Sequence, residues 1–214
     1  MQPLRHVTFV AAYAGLLLGA FSAPGLAAAD PEHPDWPCVQ KRVENLSVAA
    51  IWDGPPIDEH KEWYRDKAIA DLVPKLAARR VPLEKAIAAI EKFGKDLPPQ
   101  ERDVQLTKLF AGLFNTVNTQ RRAIITGIEK FQRAQKARAE ELEKQGVNIA
   151  ELKGNIVVDD TGATPLTPEE EKAYWAGRIF QERQANIPIA CELPPIIEER
   201  LFELSRTIRA QMSK

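Results

Sequence analysis

The fold is decided by one proline-free stretch, QERDVQLTKLFAGLFNTVNTQRRAIITGIEKFQRAQKARAEELEKQ, which covers residues 100–145. Apolar side chains recur in it at intervals of three or four residues, the spacing of one face of an α-helix. The apolar seam, interrupted by a polar position at Gln120, consists of Leu106, Phe110, Leu113, Val117, Ile124, Ile128 and Phe131. This pattern predicts one long, coiled-coil-like helix with a stutter between Ile124 and Ile128.

A helix of this length is longer than the domain that would contain it. Unbroken, it would span about 70 Å, whereas a compact domain of this size is about 40 Å across. The helix is therefore expected either to bend, with Gly112 and Gly127 as weak points, or to project its charged second half. A Glu129–Arg133 pair would support that half. The projecting half is either a solvated face or a rod that binds a partner.

Shorter helices are predicted on both sides of the long one. One begins at Asp58 and is kinked near Pro74, a second covers about 83–97, a third runs from Thr167 to about Gln184, and the last opens at Pro194. The connection over 146–166 contains a short β-prone run and turn residues. Together these segments predict an all-α fold: an antiparallel helical bundle over residues 58–214 with one long, partly projecting helix.

Residues 30–57 have a composition of their own, with five prolines and the two tryptophans Trp36 and Trp52. Proline removes a backbone donor and fixes φ, so this segment is expected to run extended, with turns. Large aromatic residues are rare in disordered arms, so we expect the arm to dock on the bundle. The sequence thus predicts an extended N-terminal arm joined to a single helical domain.

Residues 1–29 have the pattern of a secretory signal peptide. Arg5 and His6 form a basic start, an apolar run follows over residues 7–20, and an A-x-A site ends at Ala29. The apolar run is shorter than the roughly 20 residues that a spanning helix needs, so cleavage before Asp30 is predicted. A periplasmic or secreted location follows, with no stable membrane insertion after cleavage.

The two cysteines of the chain, Cys38 and Cys191, are predicted to form a disulfide bond, because exported proteins meet an oxidising environment. The alternative is a pair of free thiols with a redox or metal-binding role. The chain contains no C-x-x-C motif, and neither cysteine has a histidine at ligand spacing, so the structural disulfide is favoured. Such a bond would join the arm to the link before the last helix.

Charge and motifs favour a protein without enzymatic activity. The formal net charge is −1, with both signs interspersed, which argues against a nucleic-acid-binding protein. No haem-attachment, zinc-protease, EF-hand, serine-nucleophile or phosphate-loop motif is present. His33 and His60 are the histidines that remain after signal cleavage. We therefore expect no cofactor and assign no catalytic or metal-binding residue, although an enzyme of unrecognised class remains an alternative.

A polar patch interrupts the apolar pattern of the long helix. Asn115, Asn118 and Arg122 share one face of this helix, and Arg178 and Glu182 share a face of the later one. If these faces met, they would form a buried polar network that fixes register or binds an anion. Register or plain solvent exposure is the favoured interpretation.

The phrase Leu166-Thr167-Pro168-Glu169-Glu170 resembles the L-T-x-x-Q signature of small periplasmic helical chaperones and metal-stress sensors. Glu170 stands where that signature has glutamine, and the same residues read as the capping box of a helix. The resemblance implies a periplasmic chaperone or metal-stress protein as an alternative function. The favoured hypothesis is an exported helical protein that binds another protein, self-associates through the long helix or stabilises an envelope assembly. This interaction role predicts that the apolar seam from Leu106 to Phe131 is exposed in the isolated monomer.

Overall fold

The computed structural model describes residues 31–146 and 167–213. In these ranges the chain forms six α-helices and no strand, which confirms the predicted all-α fold. The helices are α1 (Val48–Ile51), α2 (Lys67–Ala77), α3 (Leu83–Asp96), α4 (Arg102–Lys144), α5 (Pro168–Cys191) and α6 (Leu193–Ala210). The predicted signal peptide and residues 147–166 of the predicted connection lie outside the described residues.

The long helix predicted from the sequence is α4, an unbroken helix of 43 residues. It packs against α2 and α6, and α3 packs against α6. Neither Gly112 nor Gly127 interrupts it. The chain leaves the helix at Gly146, which has a φ of 77°. Glycine adopts this left-handed conformation without the steric cost that a Cβ atom would add, so it ends helices readily.

The apolar seam of α4 lies in the core of the bundle and is not a free surface. Its first half packs on α2, α3 and α6 in one continuous apolar cluster. The seam residues Leu106, Phe110, Leu113, Val117 and Ile128 are buried, whereas Ile124 and Phe131 are partly exposed. The expectation that this seam is exposed in the monomer, where a partner could bind it, is therefore wrong, because the neighbouring helices of the same chain already cover it.

The buried stripe of α4 changes register earlier than predicted. Gln120, the expected seam position, is exposed, and its neighbour Arg121 is buried, followed by Ile125. Two successive steps of four residues from Val117 therefore rotate the buried face around the helix. The stutter lies within 117–125, where α4 leaves the main core and meets α5.

The helices α5 and α6 together run antiparallel to α4. Towards its C-terminal end, the Gln135 amide of α4 donates to the Phe180 main-chain oxygen of α5 at 3.2 Å. Further back along α4, Arg121 pairs with Glu198 of α6. The charged second half of α4 thus extends beyond the main core but has α5 packed along it. This half of α4 is therefore paired with α5 and does not project alone into solvent.

The predicted end of α5 near Gln184 is wrong, because the helix continues to Cys191 with Pro188 inside it. Cys191 is therefore the last residue of a helix and does not lie in a loop. Only Glu192 separates α5 from α6, and its φ of −77° and ψ of −18° are close to helical values. The two helices are consequently almost continuous.

The start of α2 also differs from the prediction. Asp58 begins a single turn of 3-10 helix, and α2 starts only at Lys67. Its N-cap is Asp66, whose side chain accepts hydrogen bonds from the backbone amides of Ala68 and Ile69. Both aspartates have the chemistry of an N-cap, and the choice between them depends on tertiary packing. Pro74 lies within α2, so the helix is not split there, and the kink stays a prediction.

Two glycines of α4 give a matched test of its packing. A Cβ atom at Gly112 would lie 2.8 Å from the Trp63 ring and 3.0 Å from a Val73 methyl group, whereas one at Gly127 would meet nothing within 4 Å. Gly112→Ala is expected to lower the free energy of unfolding by about 1–2 kcal/mol through overpacking. Gly127→Ala is expected to raise it by about 0.5–1 kcal/mol through helix propensity. Urea unfolding measures both, and shifts of the same sign would contradict this packing.

Candidate interaction cleft between the arm and the helix break

The arm docks along α4 and runs in the opposite direction to it. Near the start of the arm, Asp35 pairs with Arg133 at 2.8 Å. Further along the arm, the Leu46 amide donates to the Asn118 side-chain oxygen at 3.0 Å. Rising residue numbers in the arm thus meet falling numbers in α4. The arm contains the short helix α1, so it is not extended throughout.

Tryptophans anchor the arm at two levels of the bundle. Trp36 is buried against Ile125 and Ile128 in a small apolar cluster outside the main core. Trp52 stacks on Phe110 with ring centroids 4.1 Å apart and joins the main core. Buried aromatic rings bring large apolar areas and specific geometry to packing, so both ends of the arm are fixed.

Arm residues bind both members of an ion pair that was predicted within α4. Glu129 pairs with Arg42 of the arm, and Arg133 pairs with Asp35. The expected Glu129–Arg133 pair is therefore not the arrangement found. A long-range partner held in place by the arm competes successfully with a helical neighbour, whose exposed pairing is worth only a few tenths of a kcal/mol.

Protonation of the Asp35 carboxylate is expected to release the contact of the arm with Arg133 and Lys136 of α4. Hydrogen bonds from Arg133 and then Lys136 hold the pKa of Asp35 below its ordinary value. This contribution to stability is present above the ordinary aspartate pKa of about 4 and is lost as the pH falls through the lower folded-state pKa. Asp35→Asn is therefore expected to destabilise the protein at pH 7, and the difference from wild type should vanish in acid. Urea unfolding at several pH values tests this, and a difference that is constant with pH would contradict it.

Arg121 is the buried ion that holds the middle of the arm. Its side chain is 6% exposed and pairs with Glu198. The same guanidinium donates to the main-chain oxygens of Val43, at 2.5 Å, and Glu44, at 3.3 Å. Sequence reasoning missed this residue and chose its neighbour Arg122. The signal was the helical spacing of Arg121 between Val117 and Ile125.

The disulfide joins the arm to the end of α5. Cys38 and Cys191 are bonded, with Cα atoms 5.5 Å apart, as predicted. The Gln40 side chain donates to the Cys191 main-chain oxygen at the same place. Pro195, one helical turn further on, has no N–H to offer that oxygen. The Gln40 side chain therefore takes the place of the backbone donor that Pro195 lacks.

An apolar cleft lies beside the disulfide, between the arm and the junction of α5 with α6. Its volume is about 560 Å³, within the usual range for binding clefts. One wall belongs to the arm and the other to the two helices; the lining residues are Pro37, Cys38, Val39, Gln40, Ile187, Pro188, Cys191, Glu192, Pro195 and Ile196. Two of these apolar side chains are strongly exposed, Val39 by 85% and Ile196 by 48%. Ile189, on the same stretch of α5, is 61% exposed.

The polar network that the two faces would form if they met is absent among these five residues, because the faces do not meet. Arg178 and Glu182 are exposed and bond to each other at 3.4 Å. Arg122 is exposed and reaches the Thr119 hydroxyl at 3.4 Å, and Asn115 is also exposed. The antiparallel course of α5 places Phe180 opposite Gln135, far along α4 from this patch. Asn118 alone of the five residues fixes register, by binding the arm.

The described residues include no group of three or more His, Cys, Asp or Glu side chains that could hold a metal ion. His60 lies in the 3-10 turn at Asp58–His60, and His33 lies in the arm.

None of the helices in the described ranges is both long and apolar enough to cross a membrane.

Comparison with known protein families, with curated proteins and with solved structures finds no match to this chain.

Proposed function

We propose that this chain is an exported, non-enzymatic protein that binds another protein at the cell envelope through the apolar cleft beside Cys38–Cys191. The observation that carries the proposal is the pairing of an exposed apolar surface with a disulfide that joins its two walls. Exposed apolar patches on soluble domains mark interaction sites more often than chance. Export is supported by the sequence pattern of residues 1–29 and by the paired cysteines.

The cleft replaces the long-helix seam as the proposed binding surface. The seam is already covered by α2 and α6. The cleft, by contrast, has Val39 and Ile196 at its rim with much of each side chain in solvent. Burying such side chains against a partner contributes about 25 cal/mol per Å² of apolar area, which favours association.

Capture from envelope extract tests the proposed function. Three oxidised proteins are compared: wild type, Ile196→Asp and the control Phe202→Asp. The control is matched because both positions are on α6 and similarly exposed, at 48% and 43%. Phe202 does not line the cleft. We expect a defined partner to be recovered with wild type and with Phe202→Asp, and to be lost with Ile196→Asp. Equal recovery with all three proteins would contradict the proposal.

A further inference from the structure

The arm wall of the cleft presents unused main-chain groups. Within the described part of the chain, neither the amide nor the carbonyl of Cys38 and Val39 forms a hydrogen bond. The next main-chain oxygen, that of Gln40, accepts a hydrogen bond from the Trp36 indole. Cys38 and Val39 belong to the wall that the arm contributes to the cleft, so their open groups face a possible occupant. A partner with free donors and acceptors along its backbone would satisfy them.

One carboxylate stands at the opposite wall. Glu192 is exposed and is the charged residue among those that line the cleft. It forms no ion pair with any described residue. Rim charges of this kind select partners by charge complementarity more than they add affinity. A cationic group on the occupant would complement Glu192.

We propose that the occupant of the cleft is an extended segment of a partner protein, with apolar side chains against Val39 and Ile196 and a lysine or arginine beside Glu192. This inference rests on the proposed protein-binding function. An extended segment fits because its backbone offers amides and carbonyls at every residue, as in other extended-peptide recognition. A partner helix has these groups occupied internally, and a purely apolar small molecule has none.

Fluorescence anisotropy with defined peptides tests the partner chemistry. The probes are three fluorescein-labelled decapeptides of alternating valine and serine, with arginine, glutamine or glutamate at one central position, added to oxidised protein. The arginine peptide is expected to bind about fivefold more tightly than the glutamine peptide, and the glutamate peptide about fivefold more weakly, as for exposed charge pairs. Glu192→Gln should reduce both ratios to less than about twofold. The matched control Glu199→Gln, an exposed carboxylate on α6 outside the cleft lining, should leave them unchanged.

A backbone-methylated arginine peptide separates main-chain pairing from apolar contact. Methylation of its amides removes donors and is expected to weaken binding at least about tenfold, since it leaves the partner groups unpaired. The inference would be overturned if the affinity ratios between the three peptides were unchanged in Glu192→Gln, or if methylation did not weaken binding. So would failure of all the peptides to bind wild type. If that failure occurs while envelope capture is still lost in Ile196→Asp, the partner chemistry is wrong and the proposed function stands.

Discussion

Replacing Cys38 and Cys191 together with serine is expected to lower the free energy of unfolding by about 3–5 kcal/mol. The two residues are separated by 153 positions in the sequence, so the bond closes nearly the whole described chain into one loop. Treated as loop-closure entropy, a constraint of this size stabilises the folded state by about 5 kcal/mol. Measured values usually fall below that figure because the unfolded chain retains structure.

Urea unfolding of oxidised wild type and of the double-serine variant measures this effect. Wild type treated with a dithiol reductant serves as the control, because it loses the bond without a change of sequence. Both should show the same loss, and their helical content in the absence of urea should match that of oxidised wild type. A loss of less than about 1 kcal/mol in both would show that the arm is held by its other contacts alone.

Arg121→Ala is expected to lower the free energy of unfolding by about 2–4 kcal/mol. The change leaves the Val43 and Glu44 oxygens without their donor and removes the partner of Glu198. Breaking a buried pair on one side costs about 3–5 kcal/mol. Glu198 is 37% exposed and regains water, which places the expectation somewhat lower.

The neighbouring residue provides the control for Arg121. Arg122→Ala removes the same charge and the same side chain from an exposed position of α4. Its effect should stay within about 0.5 kcal/mol, as for most surface substitutions. Hydrogen exchange over residues 36–46 should increase in Arg121→Ala and not in Arg122→Ala. Equal effects of the two changes would contradict the assigned burial of Arg121.

The sequence was sufficient to predict those features that depend on local pattern. The absence of proline over residues 100–145 and the three-four spacing of apolar side chains define α4 without reference to any other segment. The disulfide followed from the presence of only two cysteines in a chain with an export pattern. Both features can be inferred before any tertiary contact is known.

Features decided by competition between distant groups could not be read from the chain. Glu129 has an acceptable helical partner in Arg133, yet each binds an arm residue in the folded protein. Arg121 and Arg122 are chemically identical, and the spacing of Arg121 from Val117 and Ile125 distinguishes them only if the buried face is known to rotate there. The cleft likewise exists only after the arm meets the junction of the two helices, so no local motif marks it.

The most direct test of the central claim, an exported chain whose arm is clasped by a disulfide beside an open cleft, is the intact mass of the protein recovered from its own cells. The sample is treated with an alkylating agent before and after reduction. The account predicts a chain that begins at Asp30, with no alkylated thiol before reduction and alkylation of both Cys38 and Cys191 after it. A chain that retains Met1, or one whose thiols react without reduction, would contradict it.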